Sequence, residues 1–315
     1  MKKIVIIMMI GALLFLAACE PDEGTSREGT TPFIGGTRGL EVSYIEAFPP
    51  NRVLDRGEEP FDVIVELHNR GEADIDADDV LVTLSGFSPR LFGKDASDLQ
   101  RNAPEDIEGN EMNPDGSIID SLPVEVEFEN FVFTEGVQGN QQHPFRAEVC
   151  YKYYTNAVTS LCVKNDFRRD SEDADICSVS SRRNVFNSGA PVQITNVQQQ
   201  PGSSDSTRFT FTIENRDRGD VHSHGNLCET DRRTENMVRV EIRGFSESAG
   251  EVVECRGLRD DTESSGNVII GSEGTDITCT VSFTDRTPRI QNFDIYVEYD
   301  YLERIRKDII VETSQ

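Results

Sequence analysis

The chain has 315 residues, 57 of them acidic and 31 basic, for a formal net charge of −26; 36% are hydrophobic and none is Trp. This length sets a prior of about two domains. The charge repels phosphate backbones, so no nucleic-acid partner is expected; it serves solubility or attracts cations and basic partners.

The amino terminus places the protein. Lys2 and Lys3 precede an apolar run, Ile4 to Ala18, that is short for a membrane span of about 20 residues. The run closes on Leu16-Ala17-Ala18-Cys19. This resembles the lipobox of prokaryotic lipoproteins. The resemblance implies cleavage after residue 18, lipidation of Cys19, and an extracytoplasmic protein held at the cell membrane and facing outside. Loss of residues 1–18 leaves 297 residues, with 29 basic against 57 acidic. Residues 19–38 are rich in Gly, Thr, Ser and Pro and read as a flexible tether.

From Leu40 the pattern is one of short alternating runs. Leu40, Val42 and Tyr44 alternate up to Pro49-Pro50, then Phe61, Val63, Val65 and Leu67 up to Asn69-Arg70-Gly71. Val80, Val82 and Leu84 follow, then an insertion from Pro89 to Asp120, then Val124, Val126 and Phe128. Phe145, Ala147, Val149, Tyr151 and Tyr153 come next, with Leu161 and Val163 last. Period two with turn residues between runs predicts strands with one buried face.

The series then recurs. Val192 and Ile194 echo Leu40 and Val42; Phe209, Phe211, Ile213 and Asn215 echo Val63, Val65, Leu67 and Asn69. Val238, Val240 and Ile242 echo Val80, Val82 and Leu84, while Phe293, Val297, Tyr299 and Tyr301 echo Phe145, Val149, Tyr151 and Tyr153. The offsets are 152, 146, 158 and 148, so loops vary while strands hold. The expected fold is all-β, with two tandem immunoglobulin-like β-sandwich domains at 39–166 and 190–313 joined by a linker at 167–189. Sandwich edges are available to pair with a partner's strand.

Setting Cys19 aside, six cysteines remain, an even number that outside the cytoplasm implies three disulfides. A hairpin turning near Thr155-Asn156 sets Cys150 opposite Cys162, with Tyr151 opposite Leu161 on the other face. Cys255 and Cys279 lie in strand-like runs and form the second expected pair. Cys177 with Cys228 then remains, a bond that would tie the linker to the second module.

At Leu67-His68-Asn69-Arg70-Gly71, an alternating strand ending in Asn-x-Gly, the chain resembles CARDB-type immunoglobulin-like modules. With Gly35-Gly36-Thr37-Arg38-Gly39-Leu40, Pro49-Pro50, Cys150-Tyr151-Lys152-Tyr153 with Cys162, and Gly189-Ala190-Pro191-Val192, the whole is similar to archaeal surface lipoproteins. The second module departs from the pattern with Asn215-Arg216-Asp217. The resemblance implies adhesion, spacing or assembly, and brings no catalytic residues.

Two groups have ligand chemistry. Asp74, Asp76, Asp78 and Asp79 form an acidic loop that could converge on Ca²⁺, although the EF-hand pattern fails at Asp79 and Ser85. A solvated loop is the competing reading. His222, His224 and Cys228 have zinc-like spacing, against an exposed loop with an oxidised cysteine. There is no Gly-x-Ser-x-Gly, His-Glu-x-x-His, phosphate loop or Cys-x-x-Cys. The expectation is a non-catalytic, lipid-anchored surface protein with no required cofactor and a surface-protein or self-assembly partner. A ligand or metal site at the module junction or the Asp74–Asp79 loop is the alternative.

Overall fold

The computed structural model describes residues 31–57, 59–169, 176–228, 235–259 and 262–314. Cys19 and tether residues 19–30 lie outside the described residues. The strands are β1 (Leu40–Tyr44), β2 (Arg52–Leu54), β3 (Phe61–Asn69), β4 (Val80–Ser85), β5 (Gln100–Asn102), β6 (Glu111–Met112), β7 (Ile118–Ile119), β8 (Val124–Phe131) and β9 (Gln141–Val163). They continue as β10 (Ser181–Arg182), β11 (Phe186–Asn187), β12 (Val192–Pro201), β13 (Ser206–Asn215), β14 (Asp220–His222), β15 (Met237–Arg243), β16 (Glu251–Arg256), β17 (Ser265–Ile269), β18 (Thr275–Phe283) and β19 (Arg289–Glu312).

The fold is all-β, and the alternation read from the sequence appears as alternating burial: every second residue of β3, Phe61 to Asn69, is buried. In the first half, β1, β3 and β8 form one sheet and β4 pairs with β9. Phe61 and Phe131 from the first sheet contact Phe145 on β9 at 6.1 and 5.9 Å between ring centroids, closing a sandwich. In the second half β12, β13 and β18 form the matching sheet, β15 pairs with β19, and Phe209 meets Phe293 at 4.9 Å.

The duplication holds at the level of register. Leu40 faces Asn69 as Val192 faces Asn215, and Val82 faces Val149 as Val240 faces Val297. It also holds bond for bond. The Tyr153 hydroxyl donates to Asn69 Oδ1 (3.0 Å), and the Tyr301 hydroxyl donates to Asn215 Oδ1 (3.2 Å). Asn69 Nδ2 donates to the Ala73 carbonyl (2.7 Å), and Asn215 Nδ2 to the Gly219 carbonyl (2.8 Å). The Leu40 amide donates to Tyr151 Oη (3.1 Å), and the Val192 amide to Tyr299 Oη (3.3 Å). Gly71 is required because a Cβ there would lie 2.1 Å from the Tyr153 hydroxyl. In the second half that close approach moves to Gly219, whose Cβ would lie 2.4 Å from Tyr301 Cε1, so Asp217 is tolerated at the earlier place.

The halves are not joined by a linker alone. β9 and β19 are single long strands that pair antiparallel over 23 residues, so one sheet runs through both halves. From Pro32 onward the described residues form one compact unit. Residues expected as linker are built in: Phe167 and Val179 are buried, and Phe186–Asn187 pairs with β9. The tether also ends early, because the Ile34 and Gly35 amides donate to the Glu72 carboxylate, both at 2.9 Å.

The continuous β9 corrects two disulfides. Cys150 and Cys162 lie twelve positions apart on one straight strand, about 40 Å at the rise of an extended chain, and cannot bond. No turn forms at Thr155-Asn156, because Thr155 is buried with its hydroxyl donating to the Val192 carbonyl (2.6 Å). Cys150 bonds Cys228 and Cys162 bonds Cys177, each with Cα atoms 5.7 Å apart; Cys177–Cys228 is therefore also excluded. Cys255–Cys279 is present, between residues directly opposite on β16 and β18.

Asn69 is fully buried and Asn215 is only partly so. Asn69→Ala leaves buried donors and acceptors unpaired and is expected to cost about 3 kcal/mol, with Asn215→Ala costing roughly half as much. Urea melts of the two variants against the parent protein measure this order.

Candidate junction cleft

The repeat offset of 148 between β9 and β19 maps Tyr151 onto Tyr299 and Tyr153 onto Tyr301, and the ladder pairs Tyr151 with Tyr301 and Tyr153 with Tyr299. A local pseudo-twofold therefore passes through the facing pair Lys152 and Asp300. The four tyrosines form the inner layer at this point, with neighbouring centroids 5.7 to 6.3 Å apart. Burial pushes all four phenols up, so they stay neutral and serve as both donors and acceptors.

The opposite face carries the candidate site. A cleft of about 150 Å³ is bounded by Asp74, Asp76 and Asp79 from the first half, His224 and Glu298 from the second, and Lys152 and Tyr154 of β9. Lys152 makes an ion pair with Asp79, which raises its pKa ahead of the opposing effect of burial. Asp300 is fully buried beneath the turn that follows β14, and accepts hydrogen bonds from the Gly225 (3.0 Å) and Cys228 (3.3 Å) amides. Burial outweighs these bonds and raises its pKa. Cys150–Cys228 fastens the same turn to β9. The cleft thus offers carboxylates, one phenol and one imidazole around a resident ammonium, a setting for hydrogen-bonded polar groups rather than for a bare cation.

The structure brings three of the four acidic-loop residues, Asp74, Asp76 and Asp79, to this cleft, and not Asp78. Asp74 Oδ1 accepts the Gly109 amide at 2.8 Å, and Asp79 is held by Lys152. Among the described residues no group of three or more His, Cys, Asp and Glu side chains is arranged to hold a metal ion. The zinc spacing fails chemically, because Cys228 is oxidised and offers no thiolate. His222 is 3% exposed, has no hydrogen-bond partner on either ring nitrogen, and borders a separate cleft of about 200 Å³ with Asp220, Glu235 and Arg304. Sequence reasoning missed Lys152 and Glu298 because it placed a turn where β9 runs straight. Their shared outward parity with Cys150 was the available signal.

A larger cleft, about 500 Å³, lies at the end of the second sandwich between Glu214, Arg216 and Glu273. Two of its charges pair with each other, Glu214 and Arg216 at 3.2 Å, and Thr195 donates to Glu214 at 2.8 Å. No helix among the described residues is long and apolar enough to cross a membrane.

The pseudo-twofold breaks at Glu303, which stands where the other half has Thr155. Burial first, then the Asp217 carboxylate, push its pKa up to about 7, against a smaller lowering by Arg38. A carboxyl raised from 4.5 to about 7 on folding favours the folded state below pH 4.5; that advantage is lost as pH rises through 7. Glu303→Gln removes the loss. It is expected to be more stable than the parent at pH 8 by roughly 1 to 2 kcal/mol after allowing for solvent screening, and equal to it near pH 4. Urea melts at the two pH values measure the difference. Because Lys152 already supplies the positive charge, millimolar Ca²⁺ against a chelator is expected to leave the thermal midpoint unchanged.

No protein-family profile matches the chain, and no curated protein matches its sequence.

Proposed function

We propose that this protein is a non-catalytic, lipid-anchored surface protein of CARDB-like, immunoglobulin-like type, which presents a contact surface to a protein partner outside the cell. The observation that carries the reading is the hairpin of β6 and β7. Its turn is fixed by the Asn113 amide bonding the Ser117 carbonyl (2.8 Å) and by Ser117 Oγ donating to Asp115 (2.7 Å). On this rigid finger Met112, Ile118, Ile119 and nearby Leu122 are 37, 52, 50 and 81% exposed. Clustered exposed aliphatics on an otherwise acidic molecule are the mark of a contact surface. Met112, Ile118 and Ile119 lie in the stretch from Pro89 to Asp120, where the second half instead forms β16 and β17. The lipobox-like Cys19 supplies the anchor in this reading, and the residues after it supply the reach.

A second reading, capture of a small ligand or cation at the junction, is favoured by the convergence of both halves on the cleft. Its volume of about 150 Å³ limits it to a ligand of a few atoms.

The soluble chain from Glu20 onward is expected to retain a specific protein from surface extracts, and Met112→Ser with Ile118→Ser, Ile119→Ser and Leu122→Ser is expected to release it while leaving the melting midpoint within a degree or two. In the producing cell, Cys19→Ser is expected to move the protein from the membrane fraction to the medium. Retention by the fourfold variant at the parent's level would contradict the assignment of the hairpin.

A further inference from the structure

The two sandwiches differ at one sheet edge. In the second half β18 lies between β13 and β16, and β16 covers it from Glu251 to Arg256. In the first half the corresponding strand is β8. It pairs with β3 on one side and, among the described residues, with no strand on the other. The two halves begin alike: the Thr134 amide bonds the Leu91 carbonyl and the Thr284 amide bonds the Gly250 carbonyl, each at 2.9 Å. After Gly250 the second chain runs on along β18. After Gly93, at φ +66°, the first chain turns aside into a short 3₁₀ turn, Ala96–Leu99, and then joins β4 as β5. The repeat therefore holds its own template for what fits β8: one more extended strand.

The chemistry of the missing strand follows from the residues β8 presents. Val124, Val126 and Phe128 are buried, while Glu125, Glu127 and Glu129 are exposed. Among the described residues none of these three carboxylates has an ion-pair partner. Glu125 also lies directly opposite Glu66 of β3, an unfavourable cross-strand pair of like charges. Two cations already touch this strand: Lys94 Nζ donates to the Glu129 carbonyl at 2.6 Å, and the Arg101 guanidinium lies 5.6 Å from the centre of the Phe128 ring. A second copy of β8 would set glutamates beside glutamates, so the edge is protected against self-pairing.

We infer that the free edge of β8 is a docking strand for an extended, basic segment of a partner protein, in which Lys or Arg alternates with apolar residues. Main-chain hydrogen bonds supply the affinity, and the glutamates select the partner by charge. Apolar side chains of the added strand take the place that Val253 of β16 fills in the second half, where it is 7% exposed. This rests on the reading that the chain binds a protein partner, and it names the chemistry of that partner.

The test uses the chain from Glu20 onward and a labelled hexapeptide of alternating valine and lysine. Two controls accompany it: the same peptide with glutamate for lysine, and one of equal charge with proline for valine. Anisotropy is expected to show binding of the first peptide only. Hydrogen exchange is expected to slow at least tenfold at residues 124–130 and nowhere else. Glu125→Lys with Glu127→Lys and Glu129→Lys is expected to weaken the basic peptide at least tenfold and to take up the acidic one. Equal binding of the proline peptide, protection elsewhere, or unchanged affinity in the charge-reversed variant would overturn the inference. The hairpin variant should bind the peptide as the parent does. Absent peptide binding with hairpin-dependent capture intact defeats this inference alone; capture that ignores the hairpin, with peptide binding intact, defeats the functional reading alone.

Discussion

The antiparallel ladder between β9 and β19 sets the geometry of everything else. It has 23 register pairs, about 75 Å of paired chain, and it merges what the repeat pattern presents as two modules into one body. Its inner row carries Tyr151, Tyr153, Tyr299 and Tyr301, whose hydroxyls bind Leu40, Asn69, Val192 and Asn215 at the entry and exit of each sandwich. The same side chains therefore fill the shared centre and fix β1 and β3 in the first half and β12 and β13 in the second. The outer row carries Cys150, Lys152 and Asp300, which hold the loops that cross over the pseudo-twofold.

Against that near-symmetry, the differences between the copies are where function is to be sought. Thr155, which bonds the Val192 carbonyl, is matched by the carboxyl of Glu303, destabilised by burial. Cys150 and Cys162 are matched by Glu298 and Ile310, so the staples that leave β9 have no counterparts on β19. The edge that β16 closes in one half carries, among the described residues, no further strand in the other and is acidic, and β7 precedes it in the chain. Both features proposed above for partner contact, the hairpin and the β8 edge, belong to the first half.

Much of the fold was legible in the sequence, because alternation with period two reports which residues face inward, and loop-independent recurrence reports duplication. Strand continuity was not. A hairpin about residue 156 pairs Tyr151 with Leu161, but a straight strand puts the same residues on the same face, so alternation alone does not tell them apart. The absence of Gly or Pro at Thr155-Asn156 was the available signal for a straight strand. Disulfide partners followed from that single choice. Cys255–Cys279 was legible because both residues lie on ordinary short strands, whereas Cys150 and Cys162 bond cysteines outside any strand, Cys228 after 78 residues and Cys177 after 15. The acidic loop was visible by composition, but its neutralisation by Lys152 was not, since that lysine arrives from a strand 73 residues later.

The most direct test of the shared ladder is native-state hydrogen exchange resolved by residue. Amides of residues 141–163 and 289–312 that lie in the ladder are expected to exchange last, together, and with the free energy of global unfolding. Exchange of the ladder at lower free energy, while β3 with β8 and β13 with β18 stay protected, would show two independent sandwiches in loose contact and would contradict this account.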